Sequence, residues 1–357
     1  MAEMPPTDAR GDADADVLLV DFGAGDHGHR GQYNAMLARL FRVRPARFGP
    51  AMLGSRRAVL VPQIEAAPGL FLITCLLRAV LGRRTVGLLL RPLPALHGTS
   101  LRLRIKRAAL IVLRRVPGVA VLTIIPFAVE PGLARIARGW IHDLQNWDFS
   151  LGSESDPAQS MVTAQAIRDQ AGARKVCAAI GGQSRDKGFD RFAALWSGTP
   201  ALRAEFLFAY GGKVTPDLAS SAARFAASGG FALDRFVSDA ELLGLYQAAD
   251  LVWCAYDPAY DQASGILGRA MQFGLPVVVR AGSVIEQLCR IADHPHIGEA
   301  ALAGDAPARG LPPRLAPELA RARAAAQGQL SLARLAEALA VPVAFDPFAA
   351  AGAGRAE

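Results

Sequence analysis

The pair Ser264-Gly265 places a hydroxyl group and a glycine at the predicted start of a helix, a pattern suited to binding anions. The apolar run at residues 251–255 predicts a strand, and a loop separates it from this helix. The helix is expected to end at Gly274, because a glycine followed two residues later by a proline commonly stops a helix. Backbone N–H groups at a helix start lack partners, and the helix dipole attracts negative charge there. The sequence therefore predicts an anion site at this pair.

A second glycine-rich turn follows the first predicted strand, Val17–Asp21. The segment GAGDHGHRG contains Gly25, and His27 and His29 stand beside its glycines, before a helix predicted to begin near Gln32. A strand, a glycine-rich loop and a helix bring the backbone close to a phosphate or a sugar. The spacing matches neither GxGxxG nor a Walker loop, so it selects no nucleotide class. Gly25 is predicted to bind the donor. The two histidines are interpreted as ligands of a sugar or an acceptor, with ordinary surface histidines as the alternative.

A third candidate site follows the strand predicted at residues 85–90. Arg91 comes directly after this apolar run, and His97 lies in the same predicted loop. In open α/β sheets, ligands bind beyond the carboxyl ends of the strands. We therefore predict that Arg91 contacts a phosphate or an acceptor. His97 is a second candidate there, with an ordinary loop residue as the alternative.

The elements that must position these residues alternate between strands and helices. Such alternation predicts parallel sheets with covered faces, and the β-branched run Val277–Val279 is typical of a strand in one. A helix is also predicted at residues 132–148, and the polar segment 150–158 is predicted to link two domains. The predicted organisation is, in order, a disordered tail (1–15), a first α/β domain (16–150), a second α/β domain (160–312), two C-terminal helical stretches (313–346) and a second disordered tail (347–357).

Length and composition fit this organisation. The chain has 357 residues, 52% of them apolar, which suits two domains with sizeable cores. The net charge of +7 predicts an anionic partner, and nucleic acid, anionic lipid and a nucleotide-sugar all qualify. The cysteines have no paired spacing, so buried thiols in a reducing compartment are expected at Cys75, Cys177, Cys254 and Cys289.

The segment 101–116, LRLRIKRAALIVLRRV, predicts a basic amphipathic helix. Six of its sixteen residues are Arg or Lys, and its apolar residues follow helical spacing. Such a helix can dock on anionic lipid, with a solvated face on a core helix as an equal alternative. It has no aromatic residue for stacking and no nucleic-acid motif nearby, so nucleic acid is not expected as a partner. The acidic N-terminus is no signal peptide, and no apolar run reaches about 18 residues, so we expect a cytoplasmic protein or one peripheral on the inner face of the cell membrane.

Two adjacent motifs resemble the donor-site region of the retaining glycosyltransferases of the GT-B fold, especially the large family 4. FVSDAELLGLYQAAD, from residue 236, is similar to the family's FVSDEEL…LY..AD, and SGILGRAMQFGLPVVV, from residue 264, is similar to EGFG…LEAM..G.PVV. GHRGQYNAML resembles the GHHxxYxxxL opening of some GT-B enzymes. The resemblance is good over residues 175–290 and loose in the N-terminal half. It implies two Rossmann-like α/β domains with a cleft between them, C-terminal helices that cross back to the first domain, and neither metal nor cofactor.

The resemblance also implies roles for single residues that bind the donor. Lys187, in GGQSRDKGFDRF, falls on the family's lysine, a contact to the donor diphosphate, with a solvated loop lysine as the alternative. Gly182 stands where the family has an arginine, and Arg185 of the same loop is the proposed substitute. Ser264, Gly265 and Ile266 form the phosphate-binding turn.

Two glutamates of the family, eight positions apart, are replaced by Asp261 and Arg269. In relatives the first contacts the donor sugar and the second the nucleotide ribose. Asp261 keeps the charge with a shorter reach, whereas Arg269 has no acceptor atom for a ribose hydroxyl. Because the region of His97 faces the donor sugar in relatives, His97 joins Asp261 and Lys187 as a predicted catalytic residue.

These features predict a retaining, metal-independent, hexosyltransferase-like enzyme. It would move a sugar from a nucleotide-diphosphate sugar to a lipid-linked or saccharide acceptor in bacterial surface polysaccharide synthesis. Arg269 and Gly182 motivate an alternative, a non-catalytic GT-B protein that binds a sugar nucleotide or a partner. A nucleic-acid-binding protein, which would retain random DNA in a salt-sensitive way, is a third and weaker reading.

Overall fold

A computed structural model describes residues 16–23, 29–304 and 308–342 of the chain. It divides into two compact units, one formed by residues up to Leu144 together with those from Ala326 onward, the other by Gln145 to Ala325. The predicted disordered tails, Gly25 and His27 lie outside the described residues.

The first unit contains a parallel sheet to which six described strands contribute, in the order β2-β1-β3-β4-β5-β6. Its inner strands are apolar and buried on both faces, as in sheets covered by helices on either side. Its described strands and helices are β1 (Val17–Asp21), α1 (His29–Phe41), β2 (Ala46–Arg47), α2 (Pro50–Gly54), β3 (Ala58–Val61), α3 (Pro68–Val80), β4 (Thr85–Leu89), α4 (Pro92–His97), α5 (Leu101–Leu113), β5 (Val119–Thr123) and β6 (Gly139–Trp140).

Arg78, the charged residue in the otherwise apolar helix α3, is fully buried. Its Nε donates to Thr85 Oγ1 at 3.1 Å, and its two terminal nitrogens donate to main-chain carbonyls, including those of Arg57 at 2.7 Å and Arg84 at 3.0 Å. A further carbonyl, that of Met52, accepts from Nη1. Burial of a guanidinium group is tolerated when its N–H groups find acceptors. Arg78 therefore joins the end of α2 to the amino ends of β3 and β4.

The prediction of a helix at residues 132–148 is wrong. The segment instead forms a 3-10 turn, the two-residue strand β6 and a second 3-10 turn. The reason is the exposed edge of β5, whose carbonyls need donors: Val121 O accepts from Arg138 N at 2.9 Å, and Thr123 O accepts from Ile141 N at 2.8 Å. The apolar residues that suggested helical spacing are buried along this irregular path.

The second unit contains another parallel sheet, with six described strands in the order β12-β11-β10-β7-β8-β9. All four cysteines of the chain, three of them in this unit, are buried and unpaired, as predicted. Its described strands and helices are α6 (Ser150–Glu154), α7 (Pro157–Ala171), β7 (Lys175–Ile180), α8 (Phe189–Gly198), α9 (Pro200–Glu205), β8 (Phe206–Gly211), α10 (Ala219–Ala227), β9 (Phe231–Leu233), α11 (Asp239–Ala248), β10 (Leu251–Trp253), α12 (Gly265–Gln272), β11 (Val277–Val279), α13 (Val284–Ile291) and β12 (His296–Gly298).

The segment 150–158, predicted as a polar linker, forms α6 and the start of α7. Asp156 caps α7, because its carboxylate accepts from Ala158 N at 2.9 Å. The close packing of α7 on α11 depends on Gly244, where an added Cβ would lie 2.5 Å from Ser160 O. The prediction missed α7 because few of its residues are apolar and buried.

In the described part of the C-terminal region, up to residue 342, the two predicted helical stretches form one helix, α14 (Pro317–Leu339). Its buried Leu332, Leu335 and Leu339 continue one apolar stripe without a break. Within the first unit, Ser331 Oγ accepts from His142 N at 3.0 Å. Of the helices that the structure describes, none is long and apolar enough to cross a bilayer.

Candidate functional site

Two loops of the second unit meet at the carboxyl ends of the neighbouring strands β7 and β10. The first, residues 181–188, leads into α8, and the second, residues 254–264, leads into α12. The loops are joined by a hydrogen bond from Asp257 N to Asp186 O at 2.9 Å. They therefore form one surface at the edge of the sheet where ligands of open α/β sheets bind.

Lys187 extends back from the first loop toward the first turn of α12. A Cβ built on Gly181 would lie 3.2 Å from Lys187 Nζ and 3.6 Å from Ile266 Cδ1, so these groups share one small space. Burial lowers the pKa of the Lys187 ammonium group. No carboxylate lies within ion-pair distance of that ammonium among the described residues. An anion bound here would compensate a charge that the described residues leave without a carboxylate partner.

Gly188 fixes the path of the chain next to Lys187. Its φ of +70° belongs to the left-handed region that favours glycine, and an added Cβ would lie 2.2 Å from Ala255 O. The helix α8 that follows is held by an aromatic cluster, in which the rings of Phe192 and Phe208 stack at 4.7 Å between centroids. The position of Lys187 is thus determined by backbone geometry on one side and by core packing on the other.

Ser264 caps α12. Its hydroxyl oxygen accepts from Ile266 N at 3.2 Å and forms a second hydrogen bond of 2.8 Å with the hydroxyl of the buried Tyr256. The amide groups of Gly265 and Leu267 donate no hydrogen bond to any of the described residues. These amides supply the donors that an anion site at a helix start requires.

One face of α12 packs on residues 145–148 of the same unit. The four α12 positions 265, 268, 269 and 272 recur at the spacing of one helix face. A Cβ on Gly265 would lie 1.2 Å from Gln145 Oε1, and one on Gly268 would lie 2.7 Å from the main-chain nitrogen of Asn146. A side chain at position 265, in the predicted phosphate-binding turn, would therefore have to displace the buried side chain of Gln145.

Arg269 belongs to the same face. Its Nη2 lies 3.1 Å from Asp148 Oδ2, with only 7% of either side chain exposed, and its Nη1 donates to Asp148 O. Gln272 Nε2 adds bonds to the carbonyls of Gln145 at 2.8 Å and Asp148 at 3.0 Å. The arginine that replaces a glutamate of the family is thus engaged in a buried ion pair, and its predicted contact to the donor stays a prediction.

Asp261 has partners for both of its carboxylate oxygens. Oδ2 accepts from Arg280 Nη2 at 2.8 Å, and Oδ1 accepts from Val284 N, the first amide of α13, at 2.9 Å. These contacts attach the loop before α12 to the start of α13. The predicted roles of Asp261 in contacting the donor sugar and in catalysis stay predictions.

The two remaining donor-site candidates of the first loop are exposed. Arg185 Nη1 lies 3.3 Å from Asp190 Oδ2, and its side chain is 60% exposed. Gly182 is exposed, and the nearest atom to an added Cβ is Lys213 O at 3.9 Å. An ion pair this exposed is weak and easily exchanged for a contact to a ligand.

The candidates of the first unit follow β1 and β4. Arg91 precedes α4, and its amide donates to Glu65 Oε1 at 2.6 Å, which fixes the backbone there. His97 is the last residue of α4 rather than a loop residue, and its Nε2 lies 3.0 Å from Glu130 Oε2. His29 is the first residue of α1. The predicted contacts of Arg91 and His29 to an acceptor or sugar stay predictions, and so does the predicted catalytic role of His97.

The segment 145–148 that holds α12 was not predicted from the sequence. A signal was present, because α12 was predicted next to a buried strand and yet carries Arg269 and Gln272 one turn after Gly265 and Gly268. Two glycines and two polar residues on one face of a buried helix indicate a close polar partner. The sequence could not identify that partner, because it binds through main-chain carbonyl groups, which every residue has.

Comparisons with known proteins identify the fold. No protein-family model matches the sequence, and no curated protein matches it. The structure of HepE from Anabaena, solved in complex with UDP and glucose, is 13% identical, with a TM-score of 0.61 and coverage of 91% of this chain and 99% of that one. Sucrose-phosphate synthase from Thermosynechococcus elongatus is 13% identical, with a TM-score of 0.55 and coverage of 90% and 97%. WaaG, a glycosyltransferase involved in lipopolysaccharide biosynthesis, is 14% identical, with a TM-score of 0.52 and coverage of 90% and 94%.

These similarities show that the chain has the GT-B fold, with two Rossmann-like α/β domains. The prediction of the fold from the sequence is therefore confirmed.

Proposed function

We propose that this protein is a glycosyltransferase whose donor is a nucleoside-diphosphate sugar. The observation that carries the proposal is the ammonium group of Lys187, which lies beside Ile266 in the first turn of α12 and lacks a carboxylate partner among the described residues. A cation and free helix amides next to each other are suited to a diphosphate. The fold supports the proposal, since HepE, which has it too, was solved with UDP and glucose.

In the proposed reaction, the bond between the anomeric carbon of the sugar and the donor phosphate breaks, and a bond to an acceptor hydroxyl oxygen forms. The hydroxyl proton passes to a phosphate oxygen of the leaving nucleoside diphosphate, so the step needs neither a protein nucleophile nor a metal. Negative charge grows on that diphosphate, and Lys187 and the α12 amides would stabilise it. Arg185 would add a second positive charge by exchanging Asp190 for a phosphate. Retention of configuration is proposed on the sequence resemblance.

We propose a lipid-linked or saccharide acceptor of surface polysaccharide synthesis, with Arg91 and His29 on the acceptor side and His97 as a catalytic residue facing the donor sugar. An apolar surface of the first unit supports a lipid-linked acceptor. The helices α3 and α5 contact each other and expose large apolar side chains instead of burying them. This α3–α5 surface consists of Ile73, Leu76, Leu77, Val80, Leu101, Ile105 and Val112.

Cations accompany the α3–α5 surface. Arg102 and Arg104 of α5 are exposed, and Arg114 and Arg115 follow the end of that helix. Apolar side chains with positive charges beside them match the interface of an anionic bilayer. We therefore propose that the protein is peripheral on such a membrane.

Vesicle flotation tests the membrane proposal. We expect the protein to float with phosphatidylglycerol vesicles and to remain unbound with phosphatidylcholine, and Ile105→Asp should reduce flotation several-fold because it places a charge in the apolar surface. Val162→Asp is a matched control, since Val162 is also exposed but lies on α7 of the second unit. Equal flotation of the two variants would exclude docking through the α3–α5 surface.

Isothermal titration with a panel of nucleoside diphosphates, beginning with UDP, tests the donor site. We expect Lys187→Gln to weaken binding about ten-fold or more, because a hydrogen bond to a charged group contributes about 1.5–3 kcal/mol. Lys175→Gln removes the same charge from the opposite end of β7, where the lysine is 54% exposed, and should change nothing. Binding that Lys187→Gln leaves unchanged would refute the site.

A non-catalytic sugar-nucleotide-binding protein is the second candidate. The buried ion pair of Arg269 favours it, because an arginine committed to Asp148 leaves the position of the family glutamate without an acceptor for the ribose. A radiolabelled transfer assay on lipid extracts separates the two candidates. Transfer that depends on Lys187 supports the enzyme, whereas binding of a nucleotide-sugar without any transfer supports the second candidate.

A further inference from the structure

A concavity of about 490 Å³ lies in the first unit, at the amino ends of β4, β5 and β6. Arg84 directly precedes β4 and Arg138 directly precedes β6, while Arg334 and Glu337 project from α14. Ligand sites of open α/β sheets lie beyond the carboxyl ends of the strands. This pocket therefore lies at the amino ends of the strands, whereas Arg91 lies at their carboxyl ends, and the pocket is separate from the proposed acceptor residues.

Two arginines of the pocket are oriented by main-chain carbonyls. Arg138 donates from Nε to Arg114 O and from Nη2 to Val116 O, both at 2.8 Å. Arg84 donates from Nη1 to Ala338 O at 3.3 Å. These bonds use part of each guanidinium group, and the described residues leave the remaining N–H groups of both arginines available to a ligand.

The third arginine lies on an aromatic ring. The guanidinium carbon of Arg334 is 3.5 Å from the centroid of the Trp140 ring, and its Nη1 donates to Trp140 O at 3.3 Å. Stacking of this kind holds a guanidinium group flat and limits its movement. The pocket thus has a rigid wall in which a positive charge and an aromatic surface are combined.

The charge of the lining is unbalanced. Three arginines and one glutamate, Glu337, give the lining a charge of +2, from +3 and −1. None of the three arginines forms an ion pair with a carboxylate within the described part of the chain. Three cations around one concavity repel each other, and an anion bound between them would remove that cost.

We propose that this pocket binds a small phosphate monoester that carries hydroxyl groups. Arg84 and Arg138 hold the phosphate, because the fork of a guanidinium group matches the oxygens of a phosphate. Glu337 accepts a hydrogen bond from a hydroxyl group, and Phe127 and Trp140 contact the carbon skeleton. The volume is within the range typical of small-molecule sites. The proposal does not depend on glycosyl transfer.

Isothermal titration at constant ionic strength tests this proposal with glucose 6-phosphate as the probe, and with glucose and sulfate as the comparisons. We expect saturable binding of glucose 6-phosphate and much weaker binding of glucose and sulfate. Arg84→Gln and Arg138→Gln should each weaken binding about ten-fold. Arg56→Gln, which removes an exposed arginine outside the pocket, and Lys187→Gln, which removes the cation of the donor site, should leave it unchanged.

Three results would overturn the proposal: no saturable binding of glucose 6-phosphate, equal binding of sulfate, or unchanged binding by the two glutamine variants. The variant Arg138→Lys controls for misfolding of the glutamine variants, because lysine keeps the positive charge but lacks the forked geometry of the guanidinium group. Arg138→Lys, which can keep at most part of the bonding to Arg114 O and Val116 O, should still unfold cooperatively and bind several-fold more weakly. Binding by Arg138→Lys at the parent affinity would also contradict the proposed phosphate contact.

Discussion

Replacement of Arg269 by methionine is expected to destabilise the second unit rather than to act on nucleotide binding first. The side chains of Arg269 and Asp148 are each 7% exposed and lie 3.1 Å apart. Removal of one partner of a buried ion pair costs about 3–5 kcal/mol, because the other charge stays buried. Ser150 also contacts the Asp148 carboxylate, with its amide at 3.1 Å and its hydroxyl at 2.9 Å. These bonds place the expected loss near the lower limit, at about 3 kcal/mol.

Urea unfolding monitored by tryptophan fluorescence measures this loss, since Trp147 lies within the segment that Arg269 holds. Arg269→Glu introduces the glutamate that the similar glycosyltransferase family has at this position. It should lower the free energy of unfolding more than Arg269→Met, because it adds a second negative charge next to Asp148. The double variant Asp148→Asn/Arg269→Met should lose about 1–2 kcal/mol less free energy of unfolding than the two single variants lose together.

The matched control is the ion pair between Arg290 and Glu286 on α13. Its arginine is 66% exposed, so Arg290→Met should change the free energy of unfolding by no more than about 0.5 kcal/mol. The reasoning would be refuted if Arg269→Met unfolded like the parent protein while its affinity for a nucleoside diphosphate fell. That result would mean that Arg269 serves the donor and that the pair with Asp148 is dispensable.

Three further predictions concern packing and protonation. Gly268→Ala should cost about 1–3 kcal/mol in urea unfolding, because the new Cβ would lie 2.7 Å from the main-chain nitrogen of Asn146, which cannot rotate away. Burial lowers the pKa of His294 to about 4 while its Nε2 lies 2.9 Å from Leu275 O, so its contribution to stability should be complete above about pH 6.5 and fall by about 3 kcal/mol toward pH 4. His294→Gln should remove this contribution to the pH slope and leave that of His142, whose pKa burial also lowers to about 4. Burial also lowers the pKa of Lys187, so affinity for a nucleoside diphosphate should decline as pH rises through that lowered value, and titrations of Lys187→Gln should lack this dependence.

The strands that carry the candidate sites could be predicted because they are continuous apolar runs. The runs at 17–21, 85–89 and 251–253 have few structural alternatives, and each became a parallel strand with a largely buried backbone. The start of α12 at Ser264 and Gly265 could be predicted for another reason, since a capping hydroxyl binds a backbone amide only two residues further along the chain. Local chemistry was sufficient at these positions.

The segment 132–148 could not be predicted because its conformation is set by distant partners. The backbone amides of Arg138 and Ile141 donate to carbonyls at the edge of β5. The side chains of Arg269 and Gln272 donate to the carbonyls of residues 145 and 148. Tertiary hydrogen bonds of this kind override helical spacing. α7 was missed for a related reason, as its burial depends on Gly244 of α11 and not on its own composition.

The replacement of a family glutamate by Arg269 and the contacts of residues 145–148 explain each other. Gly265 and Gly268 let that segment approach α12 closely, and Arg269 and Gln272 then satisfy its carbonyl oxygens. The same contacts hold α12 rigid, and a preorganised helix start binds an anion without paying for reorganisation. The proposed diphosphate site needs only the α12 amides and the ammonium of Lys187. Loss of the glutamate is therefore compatible with donor binding, and what it changes is how the helix that binds the phosphates is anchored.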